Sequence, residues 1–517
     1  MREAAITSAS KTTRHAKPAQ ASRKAATKSR ARKATRRSGS SQARVEAPPL
    51  PGATGGAGGN GSGAIRASVR VYCQGLGDCI LVRVKSNNAD DFKLLIDCGV
   101  VLGTEDAIRK MTGVVEDVVH DTDGKIDVLA ITHEHWDHLS GFNQAADSFK
   151  KLTVGSVWVA WTEDLNDDLA KQLKSELSKA ETALAACASA FHAAGDREAT
   201  VDMLSDIALT PMGAGAAGNT RTRAAFDKAK VMARVRTWLP TEDPFEIPGT
   251  NARIYVLGPP HDPKLIRKIN SSAISPETYG LAADGCAVLP LGVIAALGLS
   301  DHYDRLRLAP FHQRVTIPLR EQEGLSSLKE QDPEGRIQKF FTEHYYGSDT
   351  WRRIDGDWLG PAAELALALQ SYTNNTSLVL ALELGDIGKG DVLLFAADAQ
   401  VGNWESWQTW QWPNDAPKVT GPDLLKRTIF YKVGHHGSHN GTLKEHGVEQ
   451  LDALKAAIIP VDEKEALKKR WGRMPLPNLI AALKAKARPD MVFRTDQKPT
   501  NPPDNVVIGD NYIEVRL

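Results

Sequence analysis

The stretch Ile131-Thr-His-Glu-His-Trp-Asp-His138 brings the imidazoles of His133, His135 and His138 and the carboxylate of Asp137 into six consecutive residues. A strand or helix core gains nothing from so many partly charged groups side by side, whereas metal ions are held by them. The run before it, Asp127-Val-Leu-Ala-Ile131, reads as a short buried strand. The four groups therefore sit on a loop at a strand end, where a rigid scaffold aims them at one point. His133 and His135, two apart on an extended loop, point the same way, and Asp137 and His138 supply a second direction. One ion does not use all four easily, so two adjacent ions are expected. Neutral imidazole and carboxylate are ligands that zinc accepts, at Zn–N distances of about 2.0–2.1 Å.

Two later segments repeat the design. Leu393-Leu-Phe-Ala-Ala-Asp398-Ala399 is an apolar strand ending in a lone carboxylate, and Lys432-Val-Gly-His435-His436-Gly-Ser438 ends a strand in two histidines. Taken singly, Asp398 would be a strand-end cap and either histidine a hydrogen-bonded core residue. Three strand tips of the same chemistry in one chain point jointly to metal.

The rest of the chain bounds the setting. Its 517 residues carry a formal net charge of +1, distributed unevenly. Residues 1–50 hold 13 Lys or Arg against Glu3 and Glu46 alone, so a basic tail joins a mildly acidic body. Residues 1–64 run from this basic segment through Pro48-Pro49-Leu50-Pro51 into the Gly-rich Gly52 to Gly63, and are expected to be disordered. The tail reads as an arm for DNA or RNA phosphates, as a solubilising segment, or as a transit peptide, the last disfavoured because it lacks large apolar residues. The five cysteines, Cys73, Cys79, Cys98, Cys187 and Cys286, are odd in number and show no C-x-x-C spacing. That argues against a disulfide framework and a cysteine-based zinc site, and suits free thiols in a reducing cytoplasm. The longest apolar run, Gly285 to Ser300, is 16 residues and contains Pro290. A membrane span needs about 20, so no membrane association is expected.

Strands are predicted at Ala67 to Tyr72, Cys79 to Val84, Phe92 to Asp97, Val154 to Trp161, Ala252 to Leu257, Ser377 to Leu384, Val392 to Ala396 and Thr428 to Val433. A strand pair is predicted near 491–494 and 512–516. Helices are predicted at Glu105 to Val119, Leu165 to Ala194, Thr222 to Val235, about 444–456 and 476–487. Alternating strands and helices imply an α/β layered core. Two insertions interrupt it, a helical one at about 163–250 and a mixed one at about 261–370.

At this point the residues resemble a known family. His-x-His-x-Asp-His, a later Asp and a last His in this order are similar to the metallo-β-lactamase fold, which implies a four-layer αββα domain over 65–517 holding two zinc ions between two sheets. The closer resemblance is to the hydrolase domain of bacterial competence (DNA-uptake) channel proteins. It rests on Tyr72-Cys-Gln-Gly-Leu-Gly-Asp78, Leu94-Leu-Ile-Asp97-Cys-Gly99, Asn374-Asn-Thr-Ser-Leu-Val379, Gly434-His-His-Gly-Ser438 and Arg494-Thr-Asp-Gln497, and covers about 65–160 and 371–517. It implies that His133 and His135 hold the first metal, that Asp137, His138 and His435 hold the second, and that Asp398 bridges both. His436 is then the neighbour behind that ligand or, one register along, the ligand itself; Asp137 and His436 are the expected catalytic residues. Asp97 is expected to orient a ligand histidine, with Ser438 near the site. The chain departs from the pattern in two places. The fold's usual third histidine on the first metal is replaced by Asn374 and Asn375, as in the competence-type branch, which implies a first metal held more weakly or with an open position unless His312 or His344 fills it. The family's Tyr-Gly-His-Pro turn appears as Trp471-Gly-Arg-Met474-Pro475, which sets Arg473 beside the place of a substrate-contacting histidine.

The function expected is hydrolysis by a water activated between two divalent metal ions, zinc first and manganese as the other candidate. A phosphodiesterase or nuclease acting on nucleic acid is favoured, because the resemblance to the competence-type branch implies it and the basic tail would concentrate a polyanion. The alternatives are a small-molecule hydrolase acting on a lactone, a lactam or a phosphocholine-type ester, and a non-enzymatic binding module.

Overall fold

A computed structural model describes residues 66–86, 90–179, 221–271, 369–412, 418–469 and 471–517, with a few isolated positions between 271 and 369. The basic and Gly-rich tail, the apolar run Gly285 to Ser300, His312, residues 180–220 of the first expected insertion and most of the second lie outside the described residues. The first strands along the chain are β1 (Ala67–Tyr72), β2 (Cys79–Val84), β3 (Phe92–Cys98), β4 (Lys125–Ala130), β5 (Thr153–Ala160), β6 (Val235–Trp238), β7 (Phe245–Glu246) and β8 (Ala252–Gly258). They are followed by β9 (Val379–Leu384), β10 (Asp391–Phe395), β11 (Gln411–Trp412), β12 (Val419–Thr420), β13 (Thr428–Lys432), β14 (Ala456–Ile459), β15 (Val492–Arg494), β16 (Val506–Ile508) and β17 (Tyr512–Arg516). Among the described residues, eight form one sheet in the order β16-β17-β1-β2-β3-β4-β5-β6, and seven form a second, β15-β14-β13-β10-β9-β8-β7.

The strands are nearly all buried on both faces because each sheet is covered twice. Val69, Val71, Val82, Leu94 and Val128 of the first sheet meet Ile254, Leu380, Leu382, Phe395 and Ile458 of the second in one continuous core. The outer face of the first sheet (Leu81, Leu95, Leu129, Val157) packs on helix α1 (Ala107–Thr122) and on the helix Arg221–Lys230. In α1 the buried residues Met111, Val114, Val115, Val118 and Thr122 recur at helical spacing and form one stripe. The outer face of the second sheet (Val379, Ala381, Leu394, Tyr431, Ala457) packs on Trp404, Trp407, Leu424, Leu479 and Leu483 of further helices. The result is a four-layer αββα arrangement. Leu382 lies fully buried between the sheets, so Leu382→Ala is expected to cost about 2–5 kcal/mol, measurable by denaturant titration. A loss below about 1 kcal/mol would mean that the sheets do not share this core.

Several expectations are corrected. Val235 is not helical but opens β6, and β6 and β7, expected inside a helical insertion, are edge strands of the two sheets. The segment 444–456 is not a helix. Val448, Leu451 and Leu454 have helical spacing, but Gly447 adopts φ −139°, ψ −107°, only a single 3-10 turn forms at Val448–Gln450, and the segment ends in β14. The predicted pair near 491–494 and 512–516 is not a pair, since β15 and β17 lie in different sheets. Cys79 and Cys98 are buried free thiols and Cys73 a partly buried one, while Cys187 and Cys286 fall outside the described residues. Among the described residues no helix is long and apolar enough to cross a membrane.

Candidate metal centre

The polar residues gather at strand ends. β4 runs parallel to β3, and β13 runs parallel to β10 and β14, so the segments after β3, β4, β10, β13 and β14 leave their sheets at carboxyl ends. The first ligand loop closes tightly onto the end of β3. A Cβ on Gly99 would fall 2.5 Å from the Asp137 carbonyl oxygen, so only glycine lets the two backbones meet. The short helix α2 (Trp136–Leu139) then turns Asp137 and His138 inward. Glu134, in the middle of the motif, points the other way and pairs with Arg223 at 2.8 Å.

Backbone strain concentrates here. Among the described residues, seven non-glycine residues have positive φ, and four of them are at these strand ends: Asp97 (54°), Ala397 (48°), His435 (46°) and His436 (52°). Each such residue costs on the order of 1–3 kcal/mol and persists where the surroundings over-determine it, as functional sites do.

Four atoms from three segments converge. His436 Nε2 lies 3.1 Å from Asp137 Oδ2 and 3.5 Å from Asp398 Oδ2, and His138 Nε2 lies 3.2 Å from Asp398 Oδ2 and 3.8 Å from Asp137 Oδ2. A tetrahedral ion with bonds of about 2.1 Å separates its ligands by roughly 3.4 Å, which these four distances bracket. The group is buried and could hold a metal ion. Beside it, His133 Nε2 and His135 Nδ1 face each other at 3.0 Å. His135 Nε2 and His138 Nε2 are buried with no hydrogen-bond partner, and His138 Nε2 is one of the converging atoms. Unsatisfied buried polar atoms are costly, so this donor set fits a cation.

The outer nitrogens are fixed. His138 Nδ1 donates to Asp97 Oδ2 (2.7 Å), and Asp97 also accepts from the Thr132 hydroxyl (2.6 Å) and backbone N–H (2.8 Å). His436 Nδ1 donates to the Pro460 carbonyl (2.7 Å). Such outer bonds set which ring nitrogen faces a metal. Charge follows the geometry. Burial lowers the affinity of His138 and His436 for a proton, but the carboxylates around them, Asp398 foremost, outweigh it and raise both. His133 and His135 are pushed down, chiefly by burial. Positive charge is thus drawn to the converging group itself. Zn2+ at a hundredfold its Kd is expected to stabilise the protein by about 2.7 kcal/mol, seen as a melting-temperature increase that EDTA reverses. An unchanged melting temperature would contradict a metal centre here.

His435, expected as a ligand, is not in this group. Residues 435 and 436 are both left-handed, so they do not alternate as in a strand, and the turn sends His436 inward and His435 aside. His435 Nε2 accepts from the Asn374 amide (3.1 Å), and its Nδ1 shares a hydrogen bond with the Ser438 hydroxyl (2.7 Å). Burial pushes it down to about 4, the neutral form the Asn374 amide needs as acceptor. The Asn374 amide, expected where the family has a third histidine, is thus held by His435. Asn375 is occupied elsewhere: its side chain bonds the Lys268 carbonyl, the Gln400 N–H and Asn403, which shapes the segment after Asp398. Arg473 is not brought to the site; its side chain is exposed and lies 3.6 Å from Glu463. His344 is exposed.

Two buried residues escaped the sequence reading. Asp78, in the turn between β1 and β2, and Lys432, the last residue of β13, form an ion pair directly behind the cluster. A lone lysine in the apolar run Thr428 to Val433 was the available signal.

Residues 74–166 match the family model of the metallo-beta-lactamase superfamily. The match spans β2 to β5 and includes His133, His135, Asp137 and His138, and it stops before Asp398 and His436. No curated protein matches the chain at a significant level.

Proposed function

We propose that this chain is a metal-dependent hydrolase that cleaves phosphodiester bonds, with nucleic acid as its substrate. The observation that carries the hydrolase reading is the convergence of Asp137 Oδ2, His138 Nε2, Asp398 Oδ2 and His436 Nε2 at tetrahedral ligand spacing, with the His133–His135 pair beside it. In this reading Asp137, His138, Asp398 and His436 would hold one divalent ion, and His133 and His135 would contribute to holding a second. Zinc is the expected metal and manganese the alternative. Such ions lower the pKa of a water and polarise the oxygen of a phosphoryl or acyl substrate.

The chain's own residues orient this chemistry. Asp97 and the Pro460 carbonyl keep the outer nitrogens of His138 and His436 protonated, so the Nε2 atoms stay free to ligate. Asp137 is the most open of the four, with 11% of its side chain exposed against 0–2% for the others. Substrate would therefore approach from its side, and Asp137, besides ligating, would steer the proton of the attacking water. Two features support the phosphodiester: the resemblance to competence-type hydrolase domains, and the 13 basic residues of the first 50, which would attract a polyanion.

The test is metal analysis of the purified full chain, followed by incubation with zinc or manganese and single-stranded DNA, double-stranded DNA, RNA, a chromogenic phosphodiester, a lactone and a lactam. Cleavage of the phosphodiesters alone is expected. Turnover confined to lactone or lactam would replace the substrate, and a metal-loaded protein that leaves all six intact would remove the enzyme reading. Deleting residues 1–62 is expected to weaken salt-sensitive DNA binding while sparing the chromogenic substrate.

A further inference from the structure

The converging ligands come from two different sheets. His133, His135, Asp137 and His138 follow β4 in the first sheet, whereas Asp398 and His436 follow β10 and β13 in the second. Both halves must be held in register for one ion to touch Asp137, His138, Asp398 and His436 together. The Asp78–Lys432 pair spans this divide. Asp78 belongs to the first half: its N–H donates to the Asp137 carbonyl (3.1 Å) and its carbonyl accepts from the Gly99 N–H (2.9 Å). Its carboxylate meets the Lys432 ammonium of the second sheet. Lys432 is fully buried; its Nζ also donates to the Ala397 carbonyl (3.0 Å) and stands 3.6 Å from Asp398 Oδ1. Asp398 Oδ1 has no hydrogen-bond partner, so this ammonium is the charge that faces it. The other carboxylate oxygen, Oδ2, faces His138 and His436.

We propose that the Asp78–Lys432 ion pair is a positioning device that clamps the two halves of the ligand set, turning one Asp398 oxygen toward the metal and holding the other back. The inference rests on the metal-centre reading and adds two residues that the sequence motifs contain without a role and that the converging group does not include. It makes a prediction opposite in sign to simple electrostatics. Lys432 is a cation close to a ligand carboxylate, so by charge alone its removal would tighten binding of another cation. A clamp predicts the reverse. Loss of outer-sphere partners of metal ligands weakens affinity about 10- to 100-fold.

The experiment uses the full chain and Zn2+ alone, titrated by calorimetry with stoichiometry from elemental analysis. Wild type is measured first. If it binds no Zn2+, the metal-centre reading fails and takes the clamp with it. With binding established, Lys432→Met is expected to bind Zn2+ about 10- to 100-fold more weakly. Because that change leaves Asp78 buried and unpaired, the deciding variant is Asp78→Asn with Lys432→Met, which removes both charges and avoids the unfolding penalty of a broken pair. It is expected to melt, metal-free, no lower than Lys432→Met alone, and still to lose affinity about 10- to 100-fold. Wild-type or tighter affinity in the double variant overturns the clamp. So does failure of the double variant to fold in the presence of Zn2+, which would make the pair a determinant of the fold and not of the site.

Discussion

Asp398→Ala is expected to abolish hydrolysis, with kcat/KM falling at least about 1000-fold, some 4 kcal/mol of lost transition-state stabilisation. The effect is large because the carboxylate serves several partners at once. Its Oδ2 is 3.2 Å from His138 Nε2 and 3.5 Å from His436 Nε2, and its Oδ1 faces Lys432. Removing it takes the shared ligand from both halves of the site and leaves Lys432 with one fewer buried counter-charge. Metal content should fall with activity, which separates this outcome from a pure loss of substrate binding. Asp398→Asn keeps the shape and loses the charge, so it should retain the fold with similar loss of rate. An Asp398→Ala protein that holds its metal and turns over within about tenfold of wild type would remove Asp398 from the centre.

The second large effect is a contrast between neighbours. His436→Ala is expected to lose metal affinity by at least about 100-fold, because His436 Nε2 stands among the converging atoms. His435→Ala is expected to keep the metal stoichiometry of wild type. Its ring is spent on Asn374 and Ser438, so the change releases those two side chains and costs about 1–3 kcal/mol of stability. Elemental analysis of both variants decides the matter. Metal lost from His435→Ala and retained by His436→Ala would reverse the assignment and restore the register that the motif alone suggests.

Much of the architecture was legible because burial leaves a mark on sequence. Strands covered on both faces are nearly continuous apolar runs, and β1, β2, β3, β8, β9, β10 and β13 were predicted within two residues of where they lie. The failures have a shared cause. Val448, Leu451 and Leu454 are buried as helical residues would be, yet they anchor a turn, and spacing alone does not separate those two ways of burying the same side chains. β6 and β7 are edge strands of four and two residues, too short for alternation to register, and only pairing to β5 and β8 makes them strands.

The sequence by itself determined the chemistry of the candidate centre: imidazoles and carboxylates at the tips of apolar strands, in an order that suits divalent metal, on an α/β core. Residue type and strand-end placement suffice for that, since both are local. Tertiary structure alone decided which atoms meet. Two successive left-handed residues sent His436 into the converging group and His435 aside to the Asn374 amide, and Arg473 stayed outside. The packing of two sheets set Asp78 against Lys432, residues far apart in the chain whose buried charges gain stability only by meeting. Such pairings depend on where separate strands come to lie, which no window of the chain encodes, and the metal-affinity contrast between Lys432→Met and wild type measures one of them directly.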